Sequence, residues 1–270
     1  MDNNLKIAIC LFGSTGYKES ITRTKQEFNE LETYDINEPI DSLMKHVIIP
    51  NNMDVFVHSW SLNNQEILLS KLSPVDYIFE DYKPFAKDFD SIKNHLYSRF
   101  YSAKKSNDLK KQFEIVNKFN YDIVIHSRLD LIWFNNISFK FDVKDKMYCS
   151  HWNSSKRPNL LGPYDRSNYG QGIALMDAWF YSNSENMDNF SALFDKLNIL
   201  GFSTYKNHKS FIKRLKDFDF GNRFYLNSHH YAYAHAKRCK LEIDYDYFRG
   251  FDWEVYRNYI QENWTNTPDD

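Results

Sequence analysis

Short apolar runs alternate with helix-like patterns along the first half of the chain. Such a run predicts a strand that is buried on both faces, whereas an apolar residue at every third or fourth position predicts a helix with one buried face. The predicted strands cover residues 6–12, 54–59, 75–79 and 121–127, and the predicted helices cover residues 39–49, 62–72 and 91–119. Repeated strand–helix units are typical of a mostly parallel central sheet with helices on both faces, so we predict an α/β fold.

The pattern of the second half is less regular. It predicts a strand pair within residues 137–147, a polar loop over 150–170 and a strand over 170–182. A helix over 185–197, capped by Asn183 or Ser184, follows. The last predicted elements are a helix or turn over 205–215, a strand over 224–235 and a helix or turn over 253–262. The loop is long enough to be an active-site flap. A chain of 270 residues fits one large domain or one domain with an elaboration, and we predict a single domain over residues 1–270.

Two charged residues, Arg128 and Asp130, follow the apolar run at residues 123–125. In open α/β sheets, ligands bind in the crevice beyond the carboxyl ends of the strands, so these side chains are placed where a nucleotide and its metal would bind. A second interpretation is a strand end at which the aspartate caps a turn and the arginine is its ion-pair partner. The pattern alone does not choose between them.

The composition is rich in aromatic residues, with 19 Tyr, 22 Phe and 6 Trp, whereas 8 Gly and 7 Pro are few for a linker-rich chain. Aromatic surface suits stacking on sugars and bases, although a compositional bias explains the excess equally well. The formal net charge is −2 and no long basic run occurs. The electrostatic attraction that dominates nucleic-acid affinity is therefore not evident, and a nucleic-acid partner is disfavoured.

The three cysteines, Cys10, Cys149 and Cys239, are far apart and show no metal-ligand spacing. They are typical of reduced thiols in an intracellular protein. The first residues lead directly into an apolar run without a secretion signal, and no segment approaches the roughly 18 apolar residues of a membrane span. We therefore expect a cytoplasmic protein without a transmembrane segment.

Four motifs occur in the order of a known family. They are a strand like residues 6–13, an Asp-Val-Phe-Val-His-Ser-Trp strand, a Tyr-Asp-x-Val-Ile-x-x-Arg-x-Asp strand and an Asp-Ala-Trp-Phe-Tyr-Ser strand, and a Tyr-Ser-containing long helix precedes the third. In this respect the chain resembles the small glycosyltransferases of bacterial surface-polysaccharide clusters and large DNA viruses, over residues 5–200. The resemblance implies a GT-A fold, in which a nucleotide-diphospho-sugar lies over the strand ends. It also implies a nucleotide-binding half over residues 1–135 and an acceptor and flap half over 136–270.

The DxD-like motif of that family holds a divalent metal, and Arg128-x-Asp130 occupies its place here. The resemblance implies that Asp130 and two phosphate oxygens of the donor bind Mn²⁺ or Mg²⁺. In GT-A enzymes a late histidine often completes the metal site, and among His229, His230 and His235 we assign His235. The alternative is a structural or surface histidine. The chain departs from the full motif, because the earlier carboxylate is absent.

The donor needs further contacts, since the leaving nucleoside diphosphate gains negative charge in the transition state. We assign this role to Arg128 and Arg99, which would donate charge-assisted hydrogen bonds to phosphate. His58 and Trp60 end the second predicted strand at the same rim as Phe12 and Gly13, where a base could stack. The alternative is that these side chains pack in the core. Many relatives carry an arginine in the first loop, whereas this chain has Ser14-Thr15-Gly16-Tyr17.

An inverting transferase needs a base that accepts the proton of the acceptor hydroxyl, and a carboxylate on a neighbouring strand is the usual candidate. We assign this role to Asp177, which lies within the predicted strand over 170–182. The alternative is a buried aspartate that pairs with a nearby lysine or arginine.

The leading hypothesis is a metal-assisted glycosyltransferase that moves a sugar from a nucleotide-diphospho-sugar to a glycan or another hydroxyl acceptor. A nucleotidyltransferase of the same fold class is the first alternative, and it would release pyrophosphate instead of nucleoside diphosphate. A catalytically inactive module that binds sugar or nucleotide is the second, and the missing carboxylate of the DxD-like motif keeps it open.

Overall fold

The structure is a computed structural model, and it describes residues 5–16, 34–82, 85, 91–151, 175–200, 228–249, 251–256 and 259–260. Nine strands lie in these ranges. They are β1 (Ile7–Gly13), β2 (Asp54–Ser59), β3 (Asp76–Phe79), β4 (Ile123–Arg128), β5 (Leu131–Trp133), β6 (Lys146–His151), β7 (Trp179–Ser182), β8 (Glu242–Phe248) and β9 (Trp253–Val255).

Seven α-helical segments lie in the same ranges. They are α1 (Asn37–Leu43), α2 (Ile49–Asn51), α3 (Gln65–Leu72), α4 (Ser91–Asn117), α5 (Ser184–Ser191), α6 (Leu193–Leu200) and α7 (Ser228–Arg238). A π-helical stretch, Met44–Ile48, joins α1 to α2, and a 3₁₀ turn, Leu62–Asn64, precedes α3. No helix in the described ranges combines the length and the apolarity that a membrane span needs.

The strands form a seven-stranded sheet in the order β3-β2-β1-β4-β7-β6-β8, and β5 and β9 form a separate antiparallel pair. β3, β2, β1 and β4 are parallel to one another, while β7 runs antiparallel to its neighbours β4 and β6. β6 and β8 are again parallel. The predicted α/β class with a mostly parallel sheet is therefore confirmed, and strands from both halves of the chain share one sheet.

Apolar residues cover both faces of the sheet, as the sequence of β1 illustrates. Ile7, Ile9 and Leu11 pack into one buried apolar cluster, whereas Ala8 and Cys10 pack into the cluster on the opposite face. Successive side chains of a strand point to opposite faces, so a continuous apolar run fits only a strand that is covered on both sides. The same reasoning accounts for β2 and β4.

A buried ionic cluster joins α4 to α5 on one side of the sheet. The fully buried Lys110 Nζ donates to Glu114 Oε2 at 2.9 Å, to Ser184 Oγ at 2.6 Å and to Asp188 Oδ1 at 2.7 Å. We call these four residues the Lys110 cluster. It fixes the long helix against the sheet, because a buried ammonium group is stable only where its donors are satisfied.

His126 lies in β4 on the same side and is also fully buried. Its Nε2 is 2.9 Å from Asn107 Oδ1, which can only accept, so Nε2 carries a proton and donates. Burial, together with the nearby charge of Lys110, lowers the pKa of His126 to about 3. The ring is therefore neutral over the physiological range.

Several predicted elements of the second half differ from the structure. Residues 228–238 form α7, although we predicted a strand over 224–235; the buried pairs Tyr231/His235 and Ala232/Ala236 follow helical spacing, and alternating Tyr and Ala imitated a strand. The predicted strand pair over 137–147 is wrong, because residues 137–145 form no strand and a single strand, β6, begins at Lys146.

Two further corrections concern element ends. Residues 253–255, predicted as helix or turn, form β9 because they pair with β5. The predicted helix over 185–197 is divided at Ala192 into α5 and α6, and Asn183 is its N-cap as expected, accepting from the Asn186 N–H at 2.8 Å. Most of the predicted flap and the predicted helix over 205–215 lie outside the described residues.

Candidate functional site

The carboxyl ends of β1 and β4 meet the start of β7 at one edge of the sheet. The Leu129 N–H donates to the Phe12 carbonyl at 3.3 Å, and the Arg128 N–H donates to the Ala178 carbonyl at 3.1 Å. This juxtaposition requires β7 to be antiparallel, since only then does its amino end lie beside the carboxyl end of β4. Residues just before β7 therefore share a rim with residues at the end of β4.

Asp177 precedes β7 and pairs with Arg99, which comes from α4. Arg99 Nη1 lies 3.0 Å from Asp177 Oδ2, and the two side chains are only 16% and 4% exposed. Burial alone would raise the pKa of Asp177, but the positive charges of Arg99 and His229 outweigh it and hold that pKa well below its ordinary value. Burial lowers the pKa of Arg99 to about 10, so the guanidinium stays charged at neutral pH.

Arg128 and Asp130 form a second ion pair at the end of β4. Arg128 Nε donates to Asp130 Oδ1 at 2.7 Å, and Nη2 donates to Oδ2 in a bidentate arrangement. Burial lowers the pKa of Arg128, but the attraction and hydrogen bonds of Asp130 exceed that effect, so the pKa is raised overall. We call Arg99, Arg128, Asp130 and Asp177 the Arg–Asp cluster, which contains two charges of each sign.

Two other segments surround Asp130. Its carbonyl accepts from the Tyr256 N–H at 2.9 Å, which ties it to the residue after β9. A Cβ built on Gly16 would lie 3.7 Å from the Cβ of Asp130, so the loop after β1 passes directly beside this side chain. The sequence analysis placed Arg99, Arg128, Asp130 and Asp177 in one site, and the structure brings them to one rim.

His229, at the start of α7, is the further side chain that the structure adds to this rim. Its Nδ1 lies 3.0 Å from Asp177 Oδ1 and 2.8 Å from the Leu175 carbonyl. The sequence analysis considered His229 but chose His235. The misassigned strand over 224–235 hid the signal, because residues six apart share a face in a strand but lie on different faces of a helix.

His235 does not share the neighbours of Asp130. Its Nε2 lies 3.1 Å from the Asn189 carbonyl on α5, and burial lowers the pKa of its ring. Asp130 instead contacts Arg128 and Tyr256. Because no contact joins the two, the geometry does not support the metal site that we assigned to Asp130 and His235.

His58 is fully buried and supports the end of β1, where the first loop begins. Its Nε2 donates to Glu80 Oε1 at 2.8 Å, and its Nδ1 accepts from Ser102 Oγ at 2.7 Å. The same hydroxyl accepts from the Gly13 N–H at 2.7 Å. No edge of the His58 ring is left for a donor base, so we revise its role from donor contact to support of the Gly13 backbone.

Gly13 and Phe12 shape the rim rather than offering it a stacking surface. Gly13 has a φ of +99°, in the region that side chains disfavour, so the chain can turn sharply there. The Phe12 ring is 1% exposed and lies beneath Arg99, whose guanidinium carbon is 5.6 Å from the ring centroid. Phe12 therefore positions Arg99, and a base would stack elsewhere.

The described residues offer a divalent cation few protein ligands. No group of three or more His, Cys, Asp or Glu side chains that could hold a metal lies in the ranges given above. Mg²⁺ is commonly bound by one or two carboxylates together with substrate phosphates and water, so Asp130 fits a metal that arrives with its phosphates. The residues therefore fit a metal ion that binds together with the substrate phosphates, and not one that protein ligands hold on their own.

Comparison with known proteins adds no assignment. No protein-family model matches the chain, and no curated protein matches it in a sequence search. The fold and the rim define the class on their own: a single α/β domain with a Rossmann-like sheet and a cluster of paired charges at the carboxyl ends of its central strands.

Proposed function

We propose that this chain is a glycosyltransferase that moves a sugar from a nucleotide-diphospho-sugar to a glycan or another hydroxyl acceptor. One observation carries the proposal: two arginines and two aspartates converge at the ends of β1 and β4. In open α/β sheets this is the place where ligands bind. The resemblance found in the sequence supports the same class.

The two arginines suit the leaving group of such a reaction. A nucleoside diphosphate leaves with growing negative charge, and a guanidinium donates paired hydrogen bonds to phosphate oxygens. Arg128 is 26% exposed and now donates to Asp130. Phosphate can take the place of Asp130 at Arg128 without leaving the arginine unpaired.

Asp130 is the residue that would hold Mn²⁺ or Mg²⁺ together with the donor phosphates. When bound, the ion would stabilise the negative charge that develops on the leaving diphosphate. The chain's own contribution is to keep Asp130 in place through its backbone bond to Tyr256 and the adjacent loop at Gly16.

The three cysteines are free thiols, which supports the cytoplasmic location expected from the sequence.

A catalytically inactive module that binds nucleotide sugars is the second candidate. It is favoured by the fact that each carboxylate of the Arg–Asp cluster is already neutralised by an arginine. Such an arrangement can bind a diphosphate without any transfer. A nucleotidyltransferase is the third candidate, and its product, pyrophosphate, distinguishes it.

Thermal unfolding with nucleoside diphosphates and nucleotide sugars, with and without Mn²⁺, tests the proposal. A donor at about 100 times its Kd stabilises the native state by about 2.7 kcal/mol, which corresponds to a Tm rise of about 5 to 11 °C for a chain of this size. We expect Asp130→Asn to abolish the Mn²⁺-dependent part of the shift. Asp122→Asn is the matched control, because Asp122 lies at the opposite end of β4 and accepts from the Lys6 N–H.

Product analysis then separates the candidates. Release of nucleoside diphosphate in the presence of an acceptor supports the glycosyltransferase. Release of pyrophosphate would identify a nucleotidyltransferase, and tight binding without turnover would identify the inactive module. If no nucleotide raises the Tm, the rim does not bind nucleotides and the proposal is wrong.

A further inference from the structure

The carboxyl end of β8 lies at the same edge of the sheet as the Arg–Asp cluster. β7 is antiparallel to both β4 and β6, so β6 runs in the direction of β4, and β8 is parallel to β6. β6 ends at His151, level with Arg128, and pairs there with Phe248 of β8. Arg249 directly follows Phe248, so a third arginine lies on this rim. β8 is three strand positions from β4, which corresponds to roughly 14 Å along the rim.

Arg249 forms an ion pair with Glu254 of β9. Nε and Nη2 of Arg249 both lie 2.7 Å from one atom, Glu254 Oε1. The Val255 N–H donates to the same oxygen at 2.7 Å. The Glu254 side chain is 11% exposed and that of Arg249 is 28% exposed. The buried carboxylate is therefore fixed by the main chain, and it holds the more exposed guanidinium in one orientation.

The Arg249 guanidinium keeps hydrogen-bonding capacity for a second anion. The edge formed by Nε and Nη2 is directed at Glu254, whereas Nη1 has no hydrogen-bond partner among the residues that the structure describes. The edge formed by Nη1 and the remaining N–H of Nη2 has the spacing that matches two oxygens of a phosphate or a carboxylate. The arginine can thus bind an anion while its pair with Glu254 stays intact.

Glu254 separates Arg249 from the Arg–Asp cluster. Burial lowers the pKa of Arg128, but the attraction of nearby carboxylates, Glu254 among them, raises it. The Tyr256 N–H bonds the end of β9 to the Asp130 carbonyl, which keeps Glu254 on this side of the molecule. A diphosphate that bridged Arg128 and Arg249 would be repelled by the carboxylate between them. The two arginines therefore suit two different anionic groups.

We infer that Arg249 binds a negatively charged group of the acceptor, a phosphate or a carboxylate, while the arginines of the Arg–Asp cluster bind the donor diphosphate. This inference rests on the proposed function and deepens it, because it names the class of acceptor. The acceptor is an anionic sugar or another anionic hydroxyl compound. Glu254 is a positioning residue that orients the guanidinium.

Thermal unfolding with anionic and neutral sugars tests this site without any turnover. The anionic probes are glucuronic acid and glucose 6-phosphate, and methyl glucoside is the neutral control. Each is added after the nucleoside diphosphate and Mn²⁺ that stabilise the wild-type chain, so that the probe does not bind at the donor position. An anionic probe at about ten times its Kd should raise the Tm by a further 3 to 6 °C or so, and methyl glucoside should not. Glucuronic acid and glucose 6-phosphate distinguish a carboxylate acceptor from a phosphate acceptor.

Variants of Arg249 assign the shift to this residue. Arg249→Gln should abolish the shift that the anionic probe causes and leave the shift caused by the nucleoside diphosphate unchanged. Arg249→Lys is the second variant, because it keeps a positive partner beside the buried Glu254 if Arg249→Gln proves unstable. A lysine lacks the planar fork, so the anion-induced shift should decrease without vanishing.

Arg238→Gln is the matched control, since it removes the same charge at an exposed position. α7 begins at the rim, where the Leu175 N–H donates to the His229 carbonyl, and it ends at Arg238 before β8 leads back. Arg238 therefore lies away from the rim. Both Tm shifts should be the same in Arg238→Gln as in the wild-type chain.

Transfer assays give a readout that a merely structural role would not change. Arg249→Gln should raise the KM of the anionic acceptor about 10- to 100-fold, the usual value of a hydrogen bond to a charged group, and leave the KM of the donor unchanged. With methyl glucoside as acceptor, wild type and variant should have the same kcat/KM. An equal loss with both acceptors would show a structural role and overturn the inference.

Other results would also overturn it. They are a wild-type chain that neither anion stabilises more than methyl glucoside does, an anion-induced shift that persists in Arg249→Gln, and loss of the nucleotide-induced shift in both Arg249 variants, which would place Arg249 in the donor site.

The failure of the two proposals is distinguishable. If a nucleotide raises the Tm and the chain transfers sugar, but anionic acceptors gain nothing from Arg249, only the acceptor assignment is wrong. If no nucleotide or nucleotide sugar raises the Tm, the proposed function is wrong and the acceptor assignment with it.

Discussion

Asp177→Asn should destabilise the fold markedly, because it leaves Arg99 charged and buried without a carboxylate. Two unit charges 3.0 Å apart attract by about 5 kcal/mol at an effective dielectric constant of about 20. Arg99 Nη2 already has no hydrogen-bond partner in the described residues, so no other acceptor stands ready to replace Asp177. Removing one partner of such a pair costs about 3 to 5 kcal/mol, which lowers the Tm by roughly 6 to 20 °C.

Urea unfolding monitored by circular dichroism measures this loss. The m-value should stay unchanged, because the surface that unfolding exposes is the same. Asp130→Asn is the matched control within the Arg–Asp cluster. Its side chain and that of Arg128 are 14% and 26% exposed, so that variant should lose only about 1 to 2 kcal/mol.

The pH dependence of the Asp177→Asn effect follows from the lowered pKa of Asp177. A carboxyl group with a depressed native pKa contributes stability that is complete above its unfolded pKa of about 3.9 and is lost as the pH falls toward the native value. The difference between wild type and variant should therefore be constant from about pH 5 to 7 and decrease below pH 4. Equal or greater stability of Asp177→Asn at pH 7 would refute the reasoning, since it would show a functional carboxylate held at a cost to the fold.

Three further predictions concern the support of the rim. Lys110→Met should lower the free energy of unfolding in urea by about 3 to 5 kcal/mol, because it leaves the buried carboxylates of the Lys110 cluster without a cation. Lys104→Met removes a half-exposed ion pair and should lower it by less than about 1 kcal/mol. Similar losses in the two variants would contradict this prediction. The pKa of His126 is lowered to about 3, so the unfolded chain binds an extra proton below about pH 6.5. Stability should therefore decline by up to about 1.4 kcal/mol per pH unit as the pH falls from there, and His126→Gln should flatten this decline. Gly13→Ala should lower the free energy of unfolding by about 1 to 2 kcal/mol, because an alanine is strained at a φ of +99°. No atom lies within 4 Å of the added Cβ, so a steric clash does not contribute. An unchanged urea midpoint would exclude the backbone strain.

The sequence predicted the parallel part of the sheet well because local pattern and burial agree there. The runs of β1, β2 and β4 are apolar at successive positions, and only a strand covered on both faces explains such runs. α7 was mispredicted because alternating Tyr and Ala imitate a strand, while the packing of Tyr231 and His235 on the same helix face decided the outcome.

The candidate site shows a similar division between local and long-range signals. Arg128 and Asp130 could be found from their place at a strand end, and Asp177 as the acid within a predicted strand. The contact of His229 with Asp177 and the support of Gly13 by His58 depend on tertiary geometry between distant segments. A single sequence carries no local pattern for such contacts.

The bond from the Tyr256 N–H to the Asp130 carbonyl also sets the time at which the rim can form during synthesis. The two residues are separated by about 126 positions, so at roughly 5 to 20 residues per second the ribosome needs about 6 to 25 s to add the partner of Asp130. Until then β5 lacks β9, and its backbone exposes an unpaired strand edge on a nascent chain that already contains β1 to β4. Newly made chains thus expose this edge to aggregation, and to chaperone binding, in the interval between the synthesis of β5 and that of β9.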